Sequence, residues 1–148
     1  MKLEIRKIPE NEPELVEIRY HWMTDEVQEI VSFVKSRQGR LSATREGQRF
    51  EVPVVDLFYA ESVDERVFLY SATDSYEIRM KLYELEELLK NNHFLRISKS
   101  MLVNLMKISS VRPALNGRFS AILKNGEEVI ISRKYVPALK KVLKGGES

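Results

Sequence analysis

The stretch "RFSAILKNGEEVIISRKYVPALKKVL", Arg118–Leu143, governs the reading of the fold. Two of its runs, "RFSAILK" and "EEVIIS", alternate apolar and polar residues with a period of two, as half-covered strands do. Asn125-Gly126 between them is the strongest short hairpin signal, because a tight hairpin turn requires positive φ at both central residues. A second such pair, Asn116-Gly117, joins "RFSAILK" to the earlier run "KISSVRPAL", so three strands should form a meander. Pro113 puts the first of the three at an edge or a bulge, since proline has no N–H to give to a ladder. After Ser132 the period changes. Val136, Leu139, Val142 and Leu143 share one helical face, and Pro137 fits only in the first turn of that helix. Arg133 is thereby predicted at the junction of the last strand and the last helix. The tail "KGGES" reads as mobile.

Upstream, the chain is mostly short strands with brief helices. "RLSATR" and "QRFEVPVV" flank the turn "EGQ", "DLFYAES" and "RVFLYSA" flank "VDE", and "YEIRM" follows "TDS". "KLYELEELLKNN" breaks the strand pattern, with Leu82, Leu85, Leu88 and Leu89 on one helical face. Near the N-terminus, "KLEIRKI" and "ELVEIRY" alternate like half-buried strands around the turn "PENEP". Thr24 is placed to cap a helix, Val27, Ile30, Val31 and Val34 follow helical spacing, and Gly39 is a natural stop. The expected class is α+β, mostly β with short helices. A strand–strand–helix unit over residues 1–45 is expected to precede a second domain over residues 46–148.

Several chemistries are excluded or weakened by residue content. The chain has no cysteine and two histidines, so thiol catalysis, disulfides and the usual zinc spacings are absent. His21 and His93 each lie beside aromatic residues at element ends, where a structural or exposed role is the default. There is no phosphate-binding glycine loop, and "ESVDE" lacks the spacing of a calcium loop. An enzyme is not expected, nor a cofactor, a metal or a small-molecule substrate. No apolar run is long enough to cross a bilayer, and the N-terminus has no signal-peptide core, which fits a cytoplasmic protein.

Charge is uneven. Residues 91–148 hold 11 of the 24 Lys and Arg but 3 of the 22 Asp and Glu, a net +8, against −6 on residues 1–90. A basic segment on an acidic remainder suggests a polyanion partner, although solvated surface lysines give the same count. Within "FLRISKSMLVN", Phe94–Asn104, the hydroxyls of Ser98 and Ser100 read equally as a polar turn or as phosphate donors. Ser132 reads as a helix cap, a phosphate donor, or both.

"FLRISKSMLVN", then "NGRF" and "LKNGEEVIISRKYVPALKKVL" at this spacing, resembles the LytTR-type DNA-binding domain of bacterial transcription regulators. The similarity runs from about Gln48 to Leu143 and includes "DLFYAES" and "RVFLYSATDSYEIRMKLYELEELL" upstream. The resemblance implies a multi-sheet β fold that presents loops, not a recognition helix, to successive major grooves of double-stranded DNA. It implies base contacts for Lys99 and Arg133. Arg96, Ser98, Ser100, Lys107, Ser132 and Lys134 are then expected at phosphates, and Tyr135 either packs beneath the Arg133 loop or touches phosphate. Ser98 stands where many members carry histidine, and the "ESVDE" tip, a third DNA-facing loop, is acidic apart from Arg66. Asn104 matches the family asparagine and reads as a structural hydrogen-bonder. Many relatives carry a receiver domain, and the resemblance here is to the stand-alone form. A homodimer is expected; the helix of residues 1–45 either docks on its own sheet, the reading placed first, or pairs with a second subunit, or does both, and the resemblance adds a membrane-protein regulator as a partner. Other readings are a protein-interaction adaptor and an RNA- or single-strand-binding β module; the latter would want exposed aromatics, whereas Phe94, Phe119 and Tyr135 fit buried positions.

Overall fold

The computed structural model describes residues 1–145. The expectation of a mobile tail falls largely on residues 146–148, outside the described residues. The architecture is mostly antiparallel β with three short helices. Helix α1 (Asp25–Arg37) leads into strands β1 (Arg40–Arg45), β2 (Gln48–Pro53), β3 (Leu57–Val63), β4 (Arg66–Ser71) and β5 (Ser75–Ile78). Helix α2 (Leu82–Leu88) is followed by β6 (Phe94–Ser98), β7 (Met101–Asn104), β8 (Ile108–Pro113), β9 (Phe119–Leu123), β10 (Glu128–Ile131) and α3 (Val136–Gly145). Strands β1 to β7 form one sheet in the order β2-β1-β5-β4-β3-β7-β6, and β8 to β10 form a second, in the order β10-β9-β8. The predicted meander is therefore a sheet of its own, with the Pro113 strand at its edge.

Two cores follow from the pleat. Leu102 and Val103 are adjacent on β7 and point to opposite faces. Leu102 joins Leu57, Leu69, Leu85 and Leu89 beneath α2, whereas Val103 joins Ile97, Leu123, Ile131 and Leu139 between the two sheets and α3. A strand covered on both faces reads as a continuous apolar run, which explains "MLV" in β7.

Local signals translate directly. The Thr24 hydroxyl accepts from the Val27 N–H at 3.2 Å, and Gly39 takes φ +79 just after α1. At the first Asn-Gly, both Asn116 and Gly117 have positive φ, as predicted. At the second, only Gly126 does. The Asn125 side chain instead accepts from the Glu127 N–H at 3.1 Å, and Gly126 N–H donates to the Leu123 carbonyl at 2.9 Å. That is a type I turn closed by a left-handed glycine, the three-residue alternative to the two-residue turn.

Residues 1–24 depart from expectation. "KLEIRKI" and "ELVEIRY" form no strand in the chain, so the unit ahead of β1 is an extended arm followed by α1, not strand–strand–helix. Alternation is necessary for a half-buried strand, but a strand exists only when a ladder partner satisfies its backbone, and none pairs with these residues here. Nor does the large sheet respect a boundary at 45/46. β1 pairs along its full length with β2 and bridges to β5 at Thr44–Glu77.

Candidate nucleic-acid interface

The segment that interrupts its apolar run with Arg96, Ser98, Lys99 and Ser100 is a hairpin tip. β6 and β7 pair with a bulge between Arg96 and Ser98, so Ile97 has no partner in the β7 register. Its side chain is buried between the sheets, and its carbonyl accepts instead from the Ser132 N–H at 2.8 Å. This bond carries the geometry of the site. It ties the end of β6, two residues before Lys99, to the end of β10, one residue before Arg133. Lys99 and Arg133 consequently emerge from one end of the molecule. Both are exposed, and among the described residues neither takes part in an ion pair.

Arg133 begins a single 3-10 turn, Arg133–Tyr135, that links β10 to α3 as the sequence predicts. The Ser132 side chain makes no capping hydrogen bond, which leaves its hydroxyl for other partners. Lys134 follows, exposed, with its ammonium 5.6 Å from the centre of the Tyr135 ring. Tyr135 is half-buried and packs against the second core. The Gly117 turn closes over this junction. A Cβ on Gly117 would lie 2.9 Å from Cδ of Arg133 at a backbone of φ +75, so any other residue there would be strained and would push the Arg133 side chain aside.

Arg96 does something the sequence did not reveal. Its guanidinium donates from Nε to the Ser98 carbonyl at 2.7 Å and from Nη2 to the Lys99 carbonyl at 2.5 Å, while Nη1 meets Glu86 of α2 at 2.8 Å. Three of its donors are thereby used inside the protein, and its charge is matched by a carboxylate. The turn is held further by the Ser98 hydroxyl, which accepts from the Ser100 N–H at 3.2 Å. Thus Arg96 moulds the Lys99 tip.

Lys107 lies elsewhere. It closes a 3-10 turn at the far end of β7, its ammonium 5.2 Å from the centre of the Phe58 ring, and its carbonyl accepts from the Lys124 N–H. The length of β7 separates it from Lys99. The structure therefore brings Ser98, Lys99, Ser100, Ser132, Arg133 and Lys134 together, and not Lys107. The β3–β4 tip joins the same end, because the Ser62 N–H donates to the Ser100 carbonyl at 2.8 Å. Its Arg66 is held by both oxygens of Glu77 at 2.6 and 3.0 Å, so the tip presents Asp64 and Glu65. Asn104 is buried and bridges Leu57 O and Met106 N–H at 2.8 and 3.0 Å, a structural role as expected.

Gly117 and Glu86 are the members of this end that sequence reasoning missed. Gly117 was legible only as a turn residue, and Glu86 only as one charge on a helix face. Unpaired exposed cations and a free hydroxyl on a rigid end form a surface suited to a polyanion.

Comparisons with known proteins place the chain in a family. The family model described as "LytTr DNA-binding domain" matches residues 47–144. The sensory transduction protein LytT of Bacillus anthracis is 31% identical over 93 residues, covering 63% of this chain and 38% of that protein. The transcriptional regulatory protein YpdB of Escherichia coli K12 is 33% identical over 92 residues, with 62% and 38% covered. The chain thus matches well under half the length of these curated relatives. An uncharacterized HTH-type transcriptional regulator of Staphylococcus aureus is 30% identical over 130 residues and matches far more evenly, over 86% of this chain and 88% of its own. Among solved structures, a LytTr DNA-binding domain from Bacillus cereus superposes with a TM-score of 0.67 at 25% identity, covering 71% of this chain and 96% of that one. With about two-thirds of its residues under the family model and the same β architecture, the chain belongs to the LytTR family of DNA-binding domains.

Proposed function

We propose that the protein reads duplex DNA with the two tips described above, in a sequence-specific manner. Lys99 and Arg133 reach base edges in a major groove, and Ser98, Ser100, Ser132 and Lys134 hold flanking phosphates. Arginine suits the first task because its planar fork matches the O6 and N7 acceptors of guanine. Tyr135 supports the loop from below. Arg96 acts as the positioning residue of the Lys99 tip instead of as a phosphate ligand. Lys107 is left with a contact outside the groove-facing end, to phosphate if the duplex bends or extends that far.

The observation that carries this reading is the Ile97–Ser132 hydrogen bond, which makes the two tips neighbours. The protein acts as a homodimer on paired half-sites in the cytoplasm. A membrane-protein regulator acts upstream of DNA binding, and co-purification from membranes tests it. Phe94 is buried and Phe119 and Tyr135 pack against a core, which speaks against a stacking platform for single strands. A mobility-shift assay at stated salt tests the reading. Labelled duplex should be displaced by its own sequence far better than by single-stranded DNA, RNA or random duplex. Equal displacement by all four would contradict it.

A further inference from the structure

Residues 2–8 and 14–20 alternate apolar and charged side chains yet pair with nothing among the described residues. Leu3 and Ile5 are 82% and 85% exposed. The two segments nevertheless complement each other in one antiparallel register. With Ile5 opposite Ile18, Arg6 faces Glu17, Glu4 faces Arg19, Leu3 faces Tyr20 and Ile8 faces Leu15, and Lys7 opposite Val16 is the one mismatch. Slipping by one residue sets Arg6 against an apolar side chain in either direction. Slipping by two puts like charges opposite each other, Glu4 with Glu17 one way and Arg6 with Arg19 the other.

This deepens the reading above, which requires a dimer but gives it no interface. We propose that residues 3–8 of one copy pair antiparallel with residues 15–20 of a second copy, reciprocally, and so join two chains. Within one chain the segments are linked by a turn in which the Glu12 N–H donates to the Pro9 carbonyl at 3.1 Å, and still they do not meet. Glu4 and Arg19 instead hold their own neighbours, Lys2 at 3.3 Å and Glu17 at 3.4 Å. A lone two-stranded hairpin is marginal in water and would leave Leu3, Ile5, Ile18 and Tyr20 on an uncovered face. Two exchanged pairs related by a two-fold axis stack those faces on each other. Exchange of identical elements is a low-cost route to a dimer. The arm also runs directly into α1, where Phe33 is 57% exposed and only Val27 of the apolar face is buried, so the apolar surface continues beyond the arm.

Charge reversal tests the pairing and its direction together. One variant carries Glu4→Arg with Arg6→Glu; another carries Glu17→Arg with Arg19→Glu. Oligomeric state is measured by sedimentation for the unmodified chain, each variant alone, and an equimolar mixture. All four residues lie outside the β domain, and an unchanged melting temperature checks its fold. The unmodified chain is expected to dimerise, each variant alone to be monomeric, and the mixture to recover the dimer, because each reversed segment then finds its match on the other chain. A monomeric unmodified chain, variants that still dimerise, or a mixture that stays monomeric would overturn the proposal; the last would show that the segments fold back within one chain. No DNA enters the measurement, so its failure is separable from failure of the DNA-binding reading.

Discussion

Arg96 and Arg133 stand at the same end of the molecule with different work. Arg133 is exposed and unpaired, whereas Arg96 spends its donors on the Ser98 and Lys99 carbonyls and on Glu86. Mutations should separate these roles. Arg133→Ala should cost about 1–3 kcal/mol on the preferred duplex and relax preference at one base pair, while leaving random duplex little affected. Lys134→Ala should weaken all duplexes alike and reduce the slope of log affinity against log salt by about one. Arg96→Ala should lower affinity for the preferred site without that change in slope, because no phosphate contact is lost. A salt titration of the three variants on specific and random duplex distinguishes them. Gly117→Ala should resemble Arg133→Ala in specificity, since its Cβ would displace the Arg133 side chain, and should also lower stability through its positive φ.

At the scale of elements, what was legible depended on whether the deciding interaction is local. The Thr24 cap, the Gly39 stop, the Pro137 first turn and the Asn116-Gly117 hairpin are set by residues a few positions apart, and all form as the spacing predicts. Asn125-Gly126 differs because the Asn125 side chain competes for the Glu127 N–H, a local choice that two turn types leave open. The Ile97 bulge was not legible, because the acceptor it frees is taken by Ser132, 35 positions away by sequence number. α1 is fastened to the sheet by Lys35, which donates to Ser42 at 2.6 Å and to Glu51 at 2.8 Å. Burial pushes the Glu51 carboxyl up, but the hydrogen bonds from Lys35 and Ser42 and the nearby Arg40 charge outweigh it and hold the group below its usual 4.5. A depressed carboxylate stabilises the fold above its unfolded value and ceases to do so as pH falls through the folded one. Melting temperature should therefore fall as pH drops below about 4.5 in the unmodified protein. Glu51→Gln should flatten that dependence, with an effect of at most about 1 kcal/mol because the pair is partly exposed. An unaltered pH profile would show that the contact carries no stability. Asn104→Ala, which leaves Leu57 O and Met106 N–H without their partner, should cost about 1–3 kcal/mol in denaturant unfolding.

For the whole molecule, the class and the strands β1 to β5 and β8 to β10 could be read from alternation and turns, but the β6–β7 hairpin, the order of strands and the division into two sheets could not. Those depend on which faces meet after the chain folds. The arm shows the limit most clearly. Its alternation is real, yet alternation reports that a strand would be half-covered, not which chain supplies the cover. The two-sheet arrangement sets Arg133, at the end of the second sheet, beside the Lys99 tip of the first. Selection of bound sequences from a random duplex library, run in parallel on the unmodified protein, Lys99→Ala and Arg133→Ala, tests that convergence most directly. The unmodified protein should yield one defined motif, and each variant should lose preference at its own position, the two positions lying within a single half-site. No motif from the unmodified protein, or variants that lose affinity equally for selected and random duplex, would contradict it.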